Sequence, residues 1–383
     1  MSGIYLDWNA TTPPHPDVLA AMREAAEQAW ANPSSVHGAG RRAKAVVESA
    51  REILAERIGY SARDIVFTSG GTEANNLALL RPFATSLEGI LVTSRLEHPS
   101  ITALAEDLEG RGLKVHWLPV PSNGRIDPDE VRRALSQEAA AGPRLVVLQA
   151  VNHETGVIQP VSEVASIAHE LGAELHVDAV QALGKLPPTL WSFADTVSFA
   201  AHKLRGPKGI GALAARPGLV LRPLLRGGSQ ERGLRPGTTD PITAAGFGAA
   251  ARRADTGPER YAALAPLRDE LEASLLDLGT RLGCPPLRNG EAPRAPHVLN
   301  LSFPGWSSDE LAAALDLEGV HVSAGSACAA GTSEPSPVIT AMVGRERARS
   351  ALRISLGEDS ESRDIPRVLA AFERVLQRGP AQP

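Results

Sequence analysis

Cysteine is scarce in this chain: Cys284 and Cys328 are the only two among 383 residues. Two cannot build a disulfide framework, and two alone make a poor metal site, so no metal is expected. Long apolar runs are missing too; none approaches the roughly 20 residues that a membrane span needs. The N-terminus, "MSGIYLDWNATTPP", has neither the basic nor the apolar stretch of a signal peptide. Basic residues are not in excess: a net charge of −5 leaves no electrostatic footprint for nucleic acid. Internal repeats and low-complexity tracts are absent. These absences predict a protein of the reducing cytoplasm, with no membrane or nucleic-acid partner. Lysine is the last scarcity. Basic residues total 39, yet the lysines are only Lys44, Lys114, Lys185, Lys203 and Lys208. A chain that writes arginine almost everywhere has few amines whose pKa can be tuned.

What is present has the composition of an ordinary globular protein, 43% hydrophobic and 22% charged, and is long enough for two or more domains. From 45 to 215, short apolar runs alternate with helix-like segments. The runs are "DIVFTS", "GILVTS", "LVVLQAV", "ELHVDAV", "DTVSFAAH" and "IGALAA". The helical stretches include 41–59 and 161–172. Such alternation predicts a mostly parallel sheet covered on both faces, with ligands bound beyond the carboxyl ends of its strands. After about 250 the pattern changes: one long amphipathic helix over 260–283, a Pro-rich stretch, then "HVLNLSF", "SDELAAALDLEG", "VHVSAG", "SALRISLG" and a last helix. That is a smaller α+β unit.

Polar residues of particular kinds stand at the predicted strand ends. "FTSGGTEANN" runs from a strand through Gly70 and Gly71 into a helix opening on Thr72 and Glu73. Amides at a helix start together with a hydroxyl suit a phosphate; a capping box with a tight turn is the alternative. Asp178 closes an apolar strand, where a carboxylate needs a cationic partner unless it caps a following helix. Lys203 ends another strand in a glycine-rich turn. A partly desolvated lysine there can bond covalently to an aldehyde, whereas an exposed loop lysine does nothing of the kind. Lys208 is the weaker candidate in the same loop. His98 also follows a strand, as a structural residue or an aromatic platform. A phosphate cradle, a carboxylate, a reactive amine and an aromatic platform together describe a pocket for pyridoxal phosphate, whose ring nitrogen pairs with an acid. Cys328 sits apart, in "VSAGSACAAGTSEPSPV", among residues too small to pack. It is either an incidental thiol on a loose loop or a working one.

The chain resembles the cysteine desulfurases, a group of fold-type I pyridoxal phosphate enzymes within aminotransferase class V. The resemblance runs through "YLDWNATTP", "NPSSVHGAG", "FTSGGTEANN", "EHPS", "VNHETGVIQP", "HVDAVQALGK", "AHKLRGPKGIGAL", "GGSQERGLRPGT", "SAGSAC" and "LRISLG". It implies an α/β fold: a large cofactor-binding domain over 16–254 with a mostly parallel mixed sheet, and a small α+β domain from 1–15 with 255–383. It also implies roles for single residues. Lys203 would bond the cofactor, Asp178 would pair with its ring nitrogen and Gln181 would contact its ring hydroxyl. Gly71, Thr72 and His202 would hold the phosphate, with Thr238 of a neighbouring subunit in a homodimer. His98 would stack on the ring and serve as acid and base, and Arg353 would grip the carboxylate of L-cysteine. Cys328, on the longer and more mobile form of its loop, would take the substrate sulfur as a persulfide, release alanine and pass the sulfur to an acceptor protein. Cys284 would be incidental.

Two departures stand out. His153, in "NHE", replaces an asparagine expected near cofactor and substrate. Ala200 replaces a serine and removes a phosphate hydroxyl, a change on the order of 1–3 kcal/mol for a charged partner. The chain stops soon after its last helix, which leaves the acceptor unidentified. A C–S lyase or another class V aminotransferase would share the pocket without needing Cys328. A selenocysteine lyase would share even the cysteine, and an inactive binding scaffold is the non-enzymatic alternative.

Overall fold

The structure, a computed structural model, describes residues 3–137, 142–325 and 334–380; Cys328 lies outside the described residues. Twelve strands are defined in these segments. They are β1 (Ile4–Tyr5), β2 (Ile65–Thr68), β3 (Ile90–Ser94), β4 (Lys114–Leu118), β5 (Arg144–Gln149), β6 (Glu174–Asp178), β7 (Thr196–Ala200), β8 (Gly211–Ala215), β9 (Leu287–Arg288), β10 (Val298–Ser302), β11 (Val320–His321) and β12 (Ala351–Ser355).

Seven of them form one sheet in the order β2-β8-β7-β6-β5-β3-β4. Only β8 runs against its neighbours, so β2, β7, β6, β5, β3 and β4 all point the same way. Strands β2, β3, β7 and β8 are buried at every position. That is why their sequences are continuous apolar runs rather than alternating ones: helices cover both faces. β4 is one of the two edge strands, and its exposed Lys114 marks it as such. A second hydrophobic core gathers Leu271, Leu275, Leu299, Phe303, Leu352 and Phe372 around the antiparallel sheet β12-β10-β9. Strand β1 pairs in parallel with β11, which ties the N-terminus to this second core. Among the described residues no helix is long and apolar enough to cross a membrane, and no cluster of three metal-binding side chains occurs.

Three expectations need correction. The helix expected over 260–283 is two, Gly257–Ala262 and Ala265–Arg281, because Pro266 lacks an N–H and fits only the first turn of a helix. "VHVSAG" contributes only two residues to a strand, and its Ser323 bridges Arg353 instead. No helix follows Asp178; residues 180–184 are turns, so Asp178 is not a helix cap.

The segment 227–238 contains no strand and is held by a buried clamp. Arg51 donates two hydrogen bonds to Glu231, at 2.6 and 2.7 Å, and Glu231 also accepts the Phe67 N–H at 2.9 Å. Glu231 and the next residue, Arg232, take φ values of 46° and 58°, a strained region for residues with a side chain. The clamp holds them there. Glu231→Ala would leave the Arg51 guanidinium, 3% exposed, with only the half-exposed Glu48 as counter-charge. The expected loss is about 3–5 kcal/mol in urea unfolding, and Arg51→Met with Glu231→Leu should recover most of it. A loss under about 1 kcal/mol for Glu231→Ala would show that the pair does not hold the segment.

Candidate active site

Strands β2, β3, β5, β6 and β7 end at one edge of the sheet, and the predicted residues follow from their ends. They line a cavity of about 200 Å³ that includes Gly71, Thr72, His98, His153, Asp178, Gln181, His202, Lys203 and Arg353. After β2 the helix Gly71–Phe83 begins with no side-chain cap, which leaves its first N–H groups for a ligand. Glycine is required at 71 because a Cβ there would lie 2.7 Å from Val180 Cγ2, in the turn after β6. Glu73 accepts the Ser69 N–H at 2.6 Å, as in a capping box, and Arg235 holds its other oxygen at 3.1 Å. Glu73 thus ties back the turn before the helix and leaves the helix's own first N–H groups uncapped, while Thr72 lines the cavity.

Asp178, at the end of β6, is 7% exposed. One of its oxygens accepts from Asn75 Nδ2 at 2.8 Å and the other from the Val180 N–H at 2.9 Å. Asn75 also donates to Ser100 Oγ at 2.9 Å, and its own oxygen lies 3.0 Å from Nε2 of the buried His176. Ser100 then reaches His98: its N–H donates to His98 Nδ1 at 3.1 Å, with its hydroxyl 2.8 Å from the same nitrogen. A ring nitrogen that accepts from a backbone N–H carries no proton, so neutral His98 holds its hydrogen on Nε2. Burial lowers the His98 pKa; Asp178 opposes that shift and Lys203 reinforces it.

His153 stands beside it, the two rings 5.3 Å apart and edge to face. Gln149 donates its amide N–H to the Leu96 carbonyl, which turns its oxygen toward His153 Nδ1 at 3.3 Å. Nδ1 therefore carries the hydrogen, and Nε2 keeps a lone pair, buried, without a hydrogen bond among the described residues and 3.6 Å from Glu154 Oε1. Burial, then His98, Arg353 and Lys203, hold this ring well below the ordinary histidine pKa.

That shift has a sign in stability. The unfolded chain protonates His153 near pH 6.5 and the folded chain does not, so stability is complete above that pH and falls below it. His176, pushed down to about 3 by burial, adds to the same slope. His153→Asn should make the loss between about pH 6.5 and 5 shallower by up to one proton, about 1.4 kcal/mol per pH unit. Urea midpoints across that range check it; an unchanged slope would mean that His153 titrates alike in both states.

After β7, Lys203 Nζ donates to the carbonyls of Asn9, at 2.6 Å, and Ala10, at 2.8 Å. Lys208 is exposed. His202 Nδ1 lies 3.1 Å from Thr11 Oγ1, and its pKa is pushed down to about 4, first by burial and then by Lys203. Gln181 donates to the Asn9 carbonyl at 2.9 Å. Arg353, on β12, gives one nitrogen to the His153 carbonyl at 3.1 Å and another to Asp7 at 2.7 Å; its Nε is buried without a partner among the described residues. Thr238 is exposed and does not line the cavity of this chain. Cys284 packs against the second core, and burial raises its thiol pKa.

Three residues at the site carried too weak a signal to be singled out. Asn9 and Asn75 lie inside motifs already quoted, where an asparagine in an apolar or helical setting is the only clue. Lys185, beside Pro187 and Pro188, carries no local sign of burial, yet it is fully buried.

The chain matches the aminotransferase class V family over residues 4–368. It is 37% identical to the cysteine desulfurase IscS of Dictyoglomus turgidum, with 98% of this chain and 95% of the relative covered. Its fold superposes on a solved NifS-like protein with a TM-score of 0.88 at 32% identity, over 98% of this chain and all of that one. A structure of SspA in complex with cysteine matches with a TM-score of 0.78 at 32% identity, over 92% and 98% of the two chains. Agreement over whole chains, at identities well above those that fold alone produces, places this protein in the aminotransferase class V family, among the cysteine desulfurases.

Proposed function

We infer that the protein is a cysteine desulfurase that uses pyridoxal phosphate, converts L-cysteine to L-alanine and carries the sulfur away as a persulfide on Cys328. The observation that carries this is the meeting, in one cavity, of an amine, a buried carboxylate and an uncapped helix start from three different strand ends. The residues present fit the cofactor. The glycine at 71 keeps the helix start close to the turn after β6, and Arg353 Nε and His153 Nε2 make no hydrogen bond among the described residues. When bound, pyridoxal phosphate supplies an aldehyde for amines and an electron sink for the pair left on the substrate carbon.

The chain's own residues divide the remaining work. The N–H groups of the helix start, Gly71, Thr72 and His202 hold the phosphate. Asp178, oriented by Asn75 and the Val180 N–H, is the acid for the ring nitrogen. Lys203 anchors the cofactor covalently and His98 stacks on its ring. His98 has a proton to give at Nε2, and His153 offers a lone pair at its own Nε2. Arg353 receives the substrate carboxylate, a task suited to its planar fork. In the sulfur transfer the carbon–sulfur bond of cysteine breaks and a sulfur–sulfur bond to Cys328 forms. Cysteine and one thiol become alanine and one persulfide, so atoms balance without an oxidant. An acceptor protein in the cytoplasm then takes the sulfur.

The same reading divides the chain at residues 15 and 254 into the two domains expected above. It makes the enzyme a homodimer in which Thr238 reaches the partner's phosphate, consistent with its exposed place outside this chain's own cavity. Thr238→Ala should weaken cofactor retention severalfold without changing the sedimentation of the dimer. A monomer that turns over at full rate would overturn the composite site. Product analysis with L-cysteine and a thiol reductant tests the whole: alanine is expected, with sulfide as the reductant takes the persulfide sulfur, and pyruvate with ammonia would make the protein a lyase.

A further inference from the structure

Lys185 lies in none of the roles above, although it is 0% exposed. It follows the turn after β6, where Gly184 takes a φ of 72° and lets the chain turn inward. Its Nζ donates to Gln181 Oε1 at 2.9 Å and stands 5.8 Å from the centre of the Tyr261 ring. Tyr261 packs edge-on against His297, whose Nε2 is 3.0 Å from the Asn9 side-chain oxygen. A buried amine is costly unless it is bonded, so this one is tied to Gln181. Burial, then Lys203 and Arg353, lower its pKa, but charged or neutral it still has an N–H to donate.

Gln181 is thereby held at both ends. Lys185 occupies the amide oxygen, and the Asn9 carbonyl takes one of the two hydrogens on Nε2. One N–H remains, on a residue that lines the cavity. The opposite orientation would set the amide oxygen against the Asn9 carbonyl, a repulsive pair whatever the charge of Lys185, and a charged Lys185 against the NH₂ group would be a second. A donor on its oxygen also polarises an amide and strengthens the hydrogen bonds its NH₂ group makes. We propose that Lys185 is a positioning residue for the pyridoxal phosphate ring: it locks and polarises the Gln181 amide so that Gln181 meets the ring hydroxyl as a donor. The proposal rests on the cavity being the pyridoxal phosphate site.

The test compares purified holoenzymes of wild type, Lys185→Met, Gln181→Ala and the double variant. It reads the position of the cofactor's visible band and the rate of cofactor release. Lys185→Met keeps the length and apolar stem of lysine and removes the donor; Lys185→Leu serves if that variant does not fold. The expected result is a band displaced in the same direction as in Gln181→Ala, with no further displacement in the double variant. Cofactor release should be about tenfold faster. Lys185→Gln, which keeps an amide donor, should move the band back toward wild type. A Lys185→Met protein with a lowered melting temperature but the wild-type band and release rate would overturn the proposal, since Lys185 would then only support the fold. Additive displacements would overturn it as well. A wild-type protein with no visible band would overturn the cofactor reading, and this proposal with it; the other outcomes leave that reading standing.

Discussion

Replacing Cys328 with alanine or serine is expected to reduce alanine release from L-cysteine by roughly a thousandfold or more, because the atom proposed to accept the sulfur would be gone. A free thiol has a pKa near 8.5, so about a few per cent is thiolate at neutral pH, and the attack on sulfur needs a nearby base or cation. The cavity offers both. His153 presents an unprotonated Nε2, and the Arg353 guanidinium, which also lines the cavity, supplies positive charge. The cofactor's visible band and the spectral change on adding L-cysteine should survive the substitution, because neither needs the thiol. Persulfide formation, followed by mass spectrometry of the intact protein, should vanish. Cys284→Ala should change neither readout, since Cys284 packs against the second core away from the cavity. If Cys328→Ala keeps most of the activity, sulfur leaves by elimination.

Lys203→Ala is the second large effect. It should abolish turnover and the visible band that depends on a covalent link between lysine and cofactor, while the cofactor itself still binds through its phosphate and ring contacts. Lys203 is suited to the bond by its setting: half-buried, it donates to the two backbone carbonyls of Asn9 and Ala10, which orient its nitrogen over the cavity wall. Lys208 is exposed and Lys185 is committed to Gln181, so neither should substitute. Borohydride reduction of the wild-type holoenzyme, followed by peptide mass spectrometry, should place the pyridoxyl group on Lys203. Finding it on Lys208 or Lys185 would refute the assignment.

Much of this was legible in the sequence, for a local reason. Strands buried on both faces are apolar runs, helices between them carry their own periodicity, and a ligand edge concentrates polar residues just past each run. Asp178, Lys203, His98 and Thr72 therefore declared themselves one at a time, each against a strand, and the lysine scarcity drew attention to Lys203. The break in the helix expected over 260–283 was written there too, in Pro266.

Other features belong to the tertiary structure, because they depend on residues far apart in the chain meeting. Nothing near position 9 says that an asparagine from the N-terminus will touch β12, His153, His297, Gln181 and Lys203 at once. The tautomers of His98 and His153 follow from Ser100 and Gln149, whose own directions are fixed by Asn75 and the Leu96 carbonyl. The burial of Lys185 was illegible for the same reason. Its chain neighbours Gly184, Leu186 and Pro187 say nothing of burial, whereas its environment is built from Gln181 and Tyr261, with His297 packed against that ring. The sequence alone determined which elements form and which side chains stand at their ends; a local pattern settles both. Packing decided which nitrogen carries a proton, which lysine is buried and what holds Gln181, because charge and hydrogen-bond direction depend on partners that only the folded chain brings within 3 Å or so.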